Sequence, residues 1–377
     1  MRILSIVPHS PAAVGYSSQV EFVKTSEYHH ELCRAVADRG HDIEFWHYGS
    51  TGRTTTHDYG HTIRQFRAYN RGTFGSEISP SLYCALLRSD ADVVHIHGIH
   101  MTNHIPIYLI EQLRSHTFVV QNHGSALDTS KALAKLWYTT LQLILPPSTK
   151  VLSVNDDEAS NLRSFSVGRS VQYLRNGVDT EKYAPIKMAR ARDELGLQSD
   201  TQYVVSVVGR ISRSKGLTYL VSAMEDVPAT LLIIYGGGDD DQRASLEQQA
   251  AESDASVEFV GSVYGNDLVR YYNAADVCAF PSTAEGFGVV LLEAMACGTP
   301  TVGTTAHQGG QGHLEDERTG LVAETESASS LAKQINRILS DASLREQLSE
   351  EARLATVDRF GWDVVADELL SIYSPNS

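Results

Sequence analysis

The chain has 377 residues, 42% of them hydrophobic and 20% charged, and a formal net charge of −15 at pH 7. That length predicts two domains, and that composition excludes a mostly disordered chain. The negative charge argues against a general nucleic-acid binder, which needs a cationic surface.

The charge is unevenly spread. Residues 1–177 hold 16 Lys and Arg against 15 Asp and Glu, whereas residues 178–377 hold 15 against 31. Such asymmetry between halves points to two domains with different partners. Cys33, Cys84, Cys278 and Cys297 form no Cys-x-x-Cys pair, as expected of free thiols in a reducing compartment. The apolar run Ile3–Val7 stops at Pro8. It is too short for a signal-peptide core and reads as a first strand. No apolar run reaches the ~18 residues of a spanning helix.

In chain order, a buried strand at 2–7 is followed by a helical pattern around 26–39 that stops at Gly40. Strands are expected at 42–47, 92–96, 117–121 and 151–154, with a helix at 131–145. Short apolar strands alternating with helices imply a parallel sheet covered on both faces. After a turn-rich junction near 176–186 the pattern restarts. Strands are expected at 203–208, 230–235, 257–260, 276–280, 301–303 and 320–323. Helices are expected at 216–224, 241–252, 266–273 and 289–297, then 327–339, 343–355 and 362–373. This is a second doubly wound unit, and two such domains in tandem place a cleft between the carboxyl ends of two sheets.

Two segments carry chemistry. Gly209-Arg210-Ile211-Ser212-Arg213-Ser214-Lys215-Gly216 follows a strand and precedes a helix. Arg210 and Lys215 bring two positive charges to a strand end in the acidic half, and the next helix adds its dipole. A diphosphate fits there; a solvated loop is the bland alternative. The second segment is Pro281-Ser282-Thr283-Ala284-Glu285-Gly286-Phe287-Gly288, followed by Glu293. Eight residues at ~3.6 per turn put Glu285 and Glu293 near one helix face, where carboxylates accept hydrogen bonds from a polyol. The alternative is a helix-face charge and a dipole partner.

Gly-Arg-x4-Lys-Gly followed by Glu-Gly-Phe-Gly-x4-Glu-Ala resembles the retaining, nucleotide-sugar-dependent glycosyltransferases of family 4, which have the GT-B fold. The likeness extends to Asp92-Val-Val-His-Ile-His97, to Val119-Val-Gln-Asn-His-Gly124, to Asn176-Gly-Val-Asp179 with Tyr183-Ala-Pro185, and to Phe360-Gly-Trp362. It implies an α/β protein of two Rossmann-like domains facing each other across a cleft. These are an acceptor domain at 1–177, a donor domain at 178–358, and a last helix at 359–377 returning to the first domain.

Residue by residue, the resemblance implies that Arg210 and Lys215 bind the diphosphate and Glu293 the ribose hydroxyls. Glu285 lies by the donor sugar, with the backbone of Gly286, Phe287, Gly288 and Val289 at its hydroxyls. His123 lies beside the anomeric centre, so His123 and Glu285 are the candidate catalytic residues. No metal or other cofactor is implied. The sequence departs from the family where a Gly-Gly pair precedes the first helix. Gly15, Lys24, Thr25 and Ser26 stand in that region, as a substitute phosphate or acceptor loop or as an ordinary helix cap. Gly309-Gly-Gln-Gly-His313 also departs, ending in His where Glu is common.

His95, His97, His100 and His104 lack a neighbouring carboxylate and are expected to be cleft-lining or core residues, not metal ligands; His29 and His30 are expected within a helix. Residues 131–145 join Lys131 and Lys135 to Trp137 and several Leu. They read as a core helix, or as a membrane-surface patch together with Arg64, Arg67 and Arg71 at near-helical spacing. The resulting expectation is transfer of a hexose from a nucleoside-diphosphate sugar to a glycan or lipid-linked acceptor, in the cytoplasm or at its membrane face, without nucleic acid. The rivals are a sugar-nucleotide epimerase or hydrolase, and a silent subunit of a glycan-assembly complex.

Overall fold

In a computed structural model, residues 1–10, 27–70, 75–99, 102–123, 131–164, 170–307 and 312–374 are described. Their contacts divide the chain into two units: Met1–Arg175 with Trp362–Ser377, and Asn176–Gly361.

The first unit begins with β1 (Arg2–Val7), then α1 (Glu27–Ala37), β2 (Asp42–Gly49), and a hairpin of β3 (Arg53–Thr56) and β4 (Thr62–Arg67). It continues with α2 (Pro80–Arg88), β5 (Val93–His97), α3 (Ile105–Glu111), β6 (Thr117–Asn122) and α4 (Lys131–Ile144). Next come β7 (Lys150–Ser153), α5 (Asp156–Ser164) and β8 (Ser170–Tyr173). The sheet order is β3-β4-β2-β1-β5-β6-β7-β8, parallel except for the β3–β4 pair. Strand order, not strand direction, reverses at β1/β5, where Ile3 lies opposite both Ile43 and Val93. α2 starts where the Ser79 side chain accepts the Leu82 amide and Pro80 supplies a pre-set φ.

The second unit comprises α6 (Met188–Leu195), β9 (Tyr203–Val208), α7 (Leu217–Ala223), β10 (Thr230–Tyr235), α8 (Asp240–Glu252), β11 (Val257–Gly261) and α9 (Gly265–Ala274). It is completed by β12 (Val277–Ala279), α10 (Val289–Ala296), β13 (Thr301–Thr304), β14 (Leu321–Ala323), α11 (Ala328–Ser340) and α12 (Ala342–Phe360). The order β11-β10-β9-β12-β13-β14 is all parallel and is that of a dinucleotide-binding sheet, with its switch point between β9 and β12.

The last helix, α13 (Trp362–Tyr373), packs in the first unit. Its Trp362, Val365, Leu369 and Ile372 share a buried layer with Ile3, Val7, Leu32, Cys33 and Phe45. The Trp362 indole donates to Glu31 at 2.6 Å, and Lys150 Nζ donates to the Ile372 carbonyl at 2.6 Å.

Two expectations are corrected. Residues 53–67 contain a hairpin, so Arg64 and Arg67 lie on a strand and form no basic helix face; Arg71 lies outside the described residues. Arg64 covers the Trp46 ring at 4.8 Å, and Arg67 the Tyr69 ring at 5.5 Å. The helix expected at 343–355 runs on to Phe360, started by Asp341, whose carboxylate accepts the Ser343 and Leu344 amides. In α4, read as a core helix or a membrane-surface patch, Trp137 is half-buried against the core, and among the described side chains Leu136 and Leu143 point outward. The side chains of Lys131 and Lys135 lie outside the described residues. No helix among the described residues is long and apolar enough to cross a membrane.

Candidate active site

β9 is buried along its length and delivers the chain to Gly209 at the switch point. Three loops meet there by backbone hydrogen bonds. The Gly236 amide donates to the Gly209 carbonyl (3.0 Å), the Ile211 amide to Gly237 (2.8 Å), and the Thr283 amide to Ser214 (2.8 Å). Gly216 is in the left-handed region (φ +63°), and a Cβ there would lie 2.0 Å from the Pro281 carbonyl oxygen. Only glycine lets these two loops approach so closely while starting α7.

A cavity of ≈ 120 Å³ opens between these loops, walled by Val208, Gly209, Lys215, Pro281, Glu285 and Gly288 among others. Lys215 Nζ donates to Glu285 Oε2 at 2.8 Å, and Ser282 Oγ donates to the same oxygen at 3.0 Å. Burial pushes the Glu285 carboxyl up, but the attraction and hydrogen bond of Lys215 outweigh it and hold the group below the usual carboxylate range. His307 stands beside this pair. Burial pushes it down to about 4, so it is neutral at pH 7, and its Nδ1 accepts the Thr304 amide at 3.2 Å.

α10 begins at Gly288 (φ +84°), which has no side chain to cap the first amides of the helix. Those N–H groups have no intrahelical acceptor and carry the positive end of the dipole. A cavity with an ammonium on one wall and an uncapped helix N-terminus on another suits anionic oxygens.

The expected residues do not all converge. Lys215, Glu285, Gly288 and Val289 line the cavity. Arg210 is on the same loop, exposed, and makes no side-chain hydrogen bond or ion pair with the described residues. Phe287 is buried against His313 (rings 5.2 Å apart) and Phe360, leaving its backbone for any ligand. Glu285 and Glu293 do not share a helix face: residues 285–288 are not helical, so the turn arithmetic fails before α10 begins. Glu293, on α10, accepts the Tyr272 hydroxyl at 2.7 Å. Sequence reasoning missed Tyr272, which reaches Glu293 only through tertiary packing, and His307, which comes beside Glu285 and Lys215 in the same way.

His123 belongs to the first unit, at the end of β6. Its Nε2 lies 2.9 Å from His97 Nδ1, and His97 Nε2 lies 3.0 Å from Ser5 Oγ. Burial, then the neighbouring His9, pushes His123 down to about 4. His95 pairs its Nδ1 with the Tyr373 hydroxyl at 2.7 Å, and His104 is buried beside Tyr108. Gly15, Lys24, Thr25, Ser26 and His100 lie outside the described residues.

Comparison with known proteins adds the family. The model of "Glycosyltransferase Family 4" matches residues 26–182, and that of "Glycosyl transferases group 1" matches residues 189–355. A D-inositol 3-phosphate glycosyltransferase of Mycobacteroides abscessus is 33% identical over 243 residues, covering 62% of this chain and 53% of that protein. The chain thus spans about half the length of that relative. Among solved structures, a sucrose-phosphate synthase from Thermosynechococcus elongatus is 23% identical with a TM-score of 0.78, covering 99% of this chain and 98% of that one. Anabaena HepE, solved with UDP and glucose, is 19% identical with a TM-score of 0.76, covering 99% of both chains. Two family matches along the chain and two parallel sheets with these structural neighbours lead to one conclusion: the chain belongs to the group 1, family 4 glycosyltransferases and has the two-domain GT-B fold.

Proposed function

We propose that the chain is a retaining hexosyltransferase that uses a nucleoside-diphosphate sugar. The observation that carries this reading is Lys215, held by Glu285 in a cavity at the switch point of a dinucleotide-type sheet, beside the uncapped start of α10. The UDP bound by HepE, a protein of the same fold, supports the donor class.

In this reading Lys215 and Arg210 neutralise the diphosphate as its bond to the sugar C1 breaks. The helix dipole acts in the same direction and needs no reorganisation during the step. Glu293, steadied by Tyr272, holds the ribose hydroxyls. Glu285 receives sugar hydroxyls; its pairing with Lys215 keeps it ionised and anchored, as a binder and not a nucleophile. The acceptor oxygen attacks C1 on the face the diphosphate leaves, and the acceptor proton passes to the departing phosphate oxygen. His123, neutral at pH 7, can offer an acceptor a hydrogen bond without adding charge. Charge neutralisation by Lys215 and Arg210 lets transfer proceed without a divalent ion.

For the acceptor we favour a phosphorylated polyol or a lipid-linked form of one, in line with the inositol phosphate named for the mycobacterial relative. Membrane contact would use the outward Leu136 and Leu143 of α4 with Leu109 and Leu113 near the end of α3. The test is nucleotide release across a panel of UDP- and GDP-sugars, with inositol phosphate or glycolipid vesicles as acceptor, followed by NMR of the product anomer. A retained anomer supports the proposal. Donor consumption without acceptor would make the chain a hydrolase or epimerase, and no turnover with any donor would make it a silent subunit.

A further inference from the structure

The β3–β4 hairpin turns through His57-Asp58-Tyr59-Gly60-His61. The turn is closed by the His57 amide donating to the His61 carbonyl (2.9 Å) and the Gly60 amide to His57 (2.8 Å), with Gly60 at φ +88°. Both histidines face His30 of α1. His30 Nδ1 and His61 Nε2 are 2.9 Å apart, and the His57 ring lies against His30 with centroids 4.2 Å apart. One ligand nitrogen from each of the three falls within 4.8 Å of the others.

We propose that His30, His57 and His61 form a binding site for a divalent transition ion of the zinc class, in the first unit and separate from the Lys215 cavity. Three imidazoles supply the ligand count of an open zinc site, which keeps a fourth position for water. Tetrahedral coordination at ~2.0–2.1 Å needs ligand nitrogens ~3.3 Å apart. The His30–His61 pair is already near that spacing, and His57 must close by about 1.5 Å at most. His57 is half-buried on a hairpin turn and is the member with room to move.

Binding displaces existing contacts. The His30 Nδ1–His61 Nε2 hydrogen bond gives way to the ion. The Tyr59 amide donates to His57 Nδ1 at 3.1 Å, so coordination through Nε2 moves the ring proton to Nδ1 and releases that amide.

Bound there, the ion would clamp the hairpin to α1. The experiment titrates the full chain, in a Cys84→Ser background that removes the exposed thiol, with Zn²⁺ by calorimetry and with Co²⁺ by its visible ligand-field band. We expect one equivalent per chain, a melting temperature raised by Zn²⁺, and at least a tenfold weaker affinity in His57→Asn and in His61→Asn. The metal-free His57→Asn protein should melt with the metal-free parent, separating ligand loss from misfolding. Absence of saturable uptake in the parent overturns the proposal, as does unchanged affinity in a folded His57→Asn variant.

Discussion

Beyond β9, Lys215 and Glu285 form a charged pair 2.8 Å long inside a cavity. At the carboxyl ends of β5 and β6 in the other sheet, His97 and His123 stand beside the buried amides of Gln121 and Asn122, with burial pushing both histidines below the usual range. One switch point keeps fixed charge in a low-dielectric wall, where it acts strongly on an anion. The other offers the hydrogen bonds of two neutral imidazoles, and its Glu158 carboxylate is taken up by the Asn122 amide and the Ser153 hydroxyl. That division suits a donor carrying two phosphates and an acceptor presenting a hydroxyl, and it can be broken at either end.

The largest effect is expected from Lys215→Ala. Losing a charge-assisted contact in the cavity costs about 1.5–3 kcal/mol or more, tenfold to roughly 150-fold in kcat/KM. It also leaves the mostly buried Glu285 without its cation, so the melting temperature should fall. Arg210→Ala should lower kcat/KM comparably at unchanged melting temperature, because its side chain holds nothing else. Parental kinetics in both variants would remove the diphosphate from this loop.

Acid should separate the units next. His9, His47, His61 and His123 are pushed to about 4, and His95 to about 3, below the ~6.5 of an unfolded histidine. The unfolded chain therefore binds protons that the folded first unit refuses. The stability this confers is complete above pH ~6.5 and drains as pH falls towards about 4, at about 1.4 kcal/mol per pH unit for each histidine titrating only on unfolding. Hydrogen exchange should show Val93–His97 losing protection before Tyr203–Val208 between pH 6.5 and 4.5. Equal loss in both strands would erase the contrast.

A smaller change is expected from Glu293→Gln, which should raise the donor KM severalfold and leave kcat nearly intact, because ribose holding is shared by ground and transition states. Tyr272→Phe should do the same more weakly, by freeing Glu293. A fall in kcat alone would exchange the roles of Glu293 and Glu285. The smallest effect is that of EDTA: initial rates should be unchanged even where chelation lowers the melting temperature. Loss of turnover restored by Mg²⁺ or Mn²⁺ would place a metal in the transfer step.

Much of this was legible in the sequence, for uneven reasons. Parallel strands such as Tyr203–Val208 are buried on both faces and read as unbroken apolar runs. Arg53–Thr56 could not be read so: it is short and largely exposed, a strand only because β4 pairs with it. α5 and α6 are polar helices with few apolar landmarks, and neither was foreseen. In the loops around the cavity, glycine and charge placement marked Lys215 and Glu285 locally. Tyr272 to Glu293, Ser5 to His97 and His30 to His61 are pairs whose members come from different segments, so no window along the chain contains them.

The chain crosses between its units twice, after Arg175 and again after Gly361. During synthesis at ~5–20 residues per second, the second unit has all of its residues while the first still lacks Trp362–Tyr373. The first sheet must wait, with Ile3, Leu32 and Cys33 uncovered, through the making of some 186 further residues. The N-terminal half is thus first to be translated and last to be sealed. A chaperone that binds exposed apolar surface would meet this protein on the α1 side of that sheet.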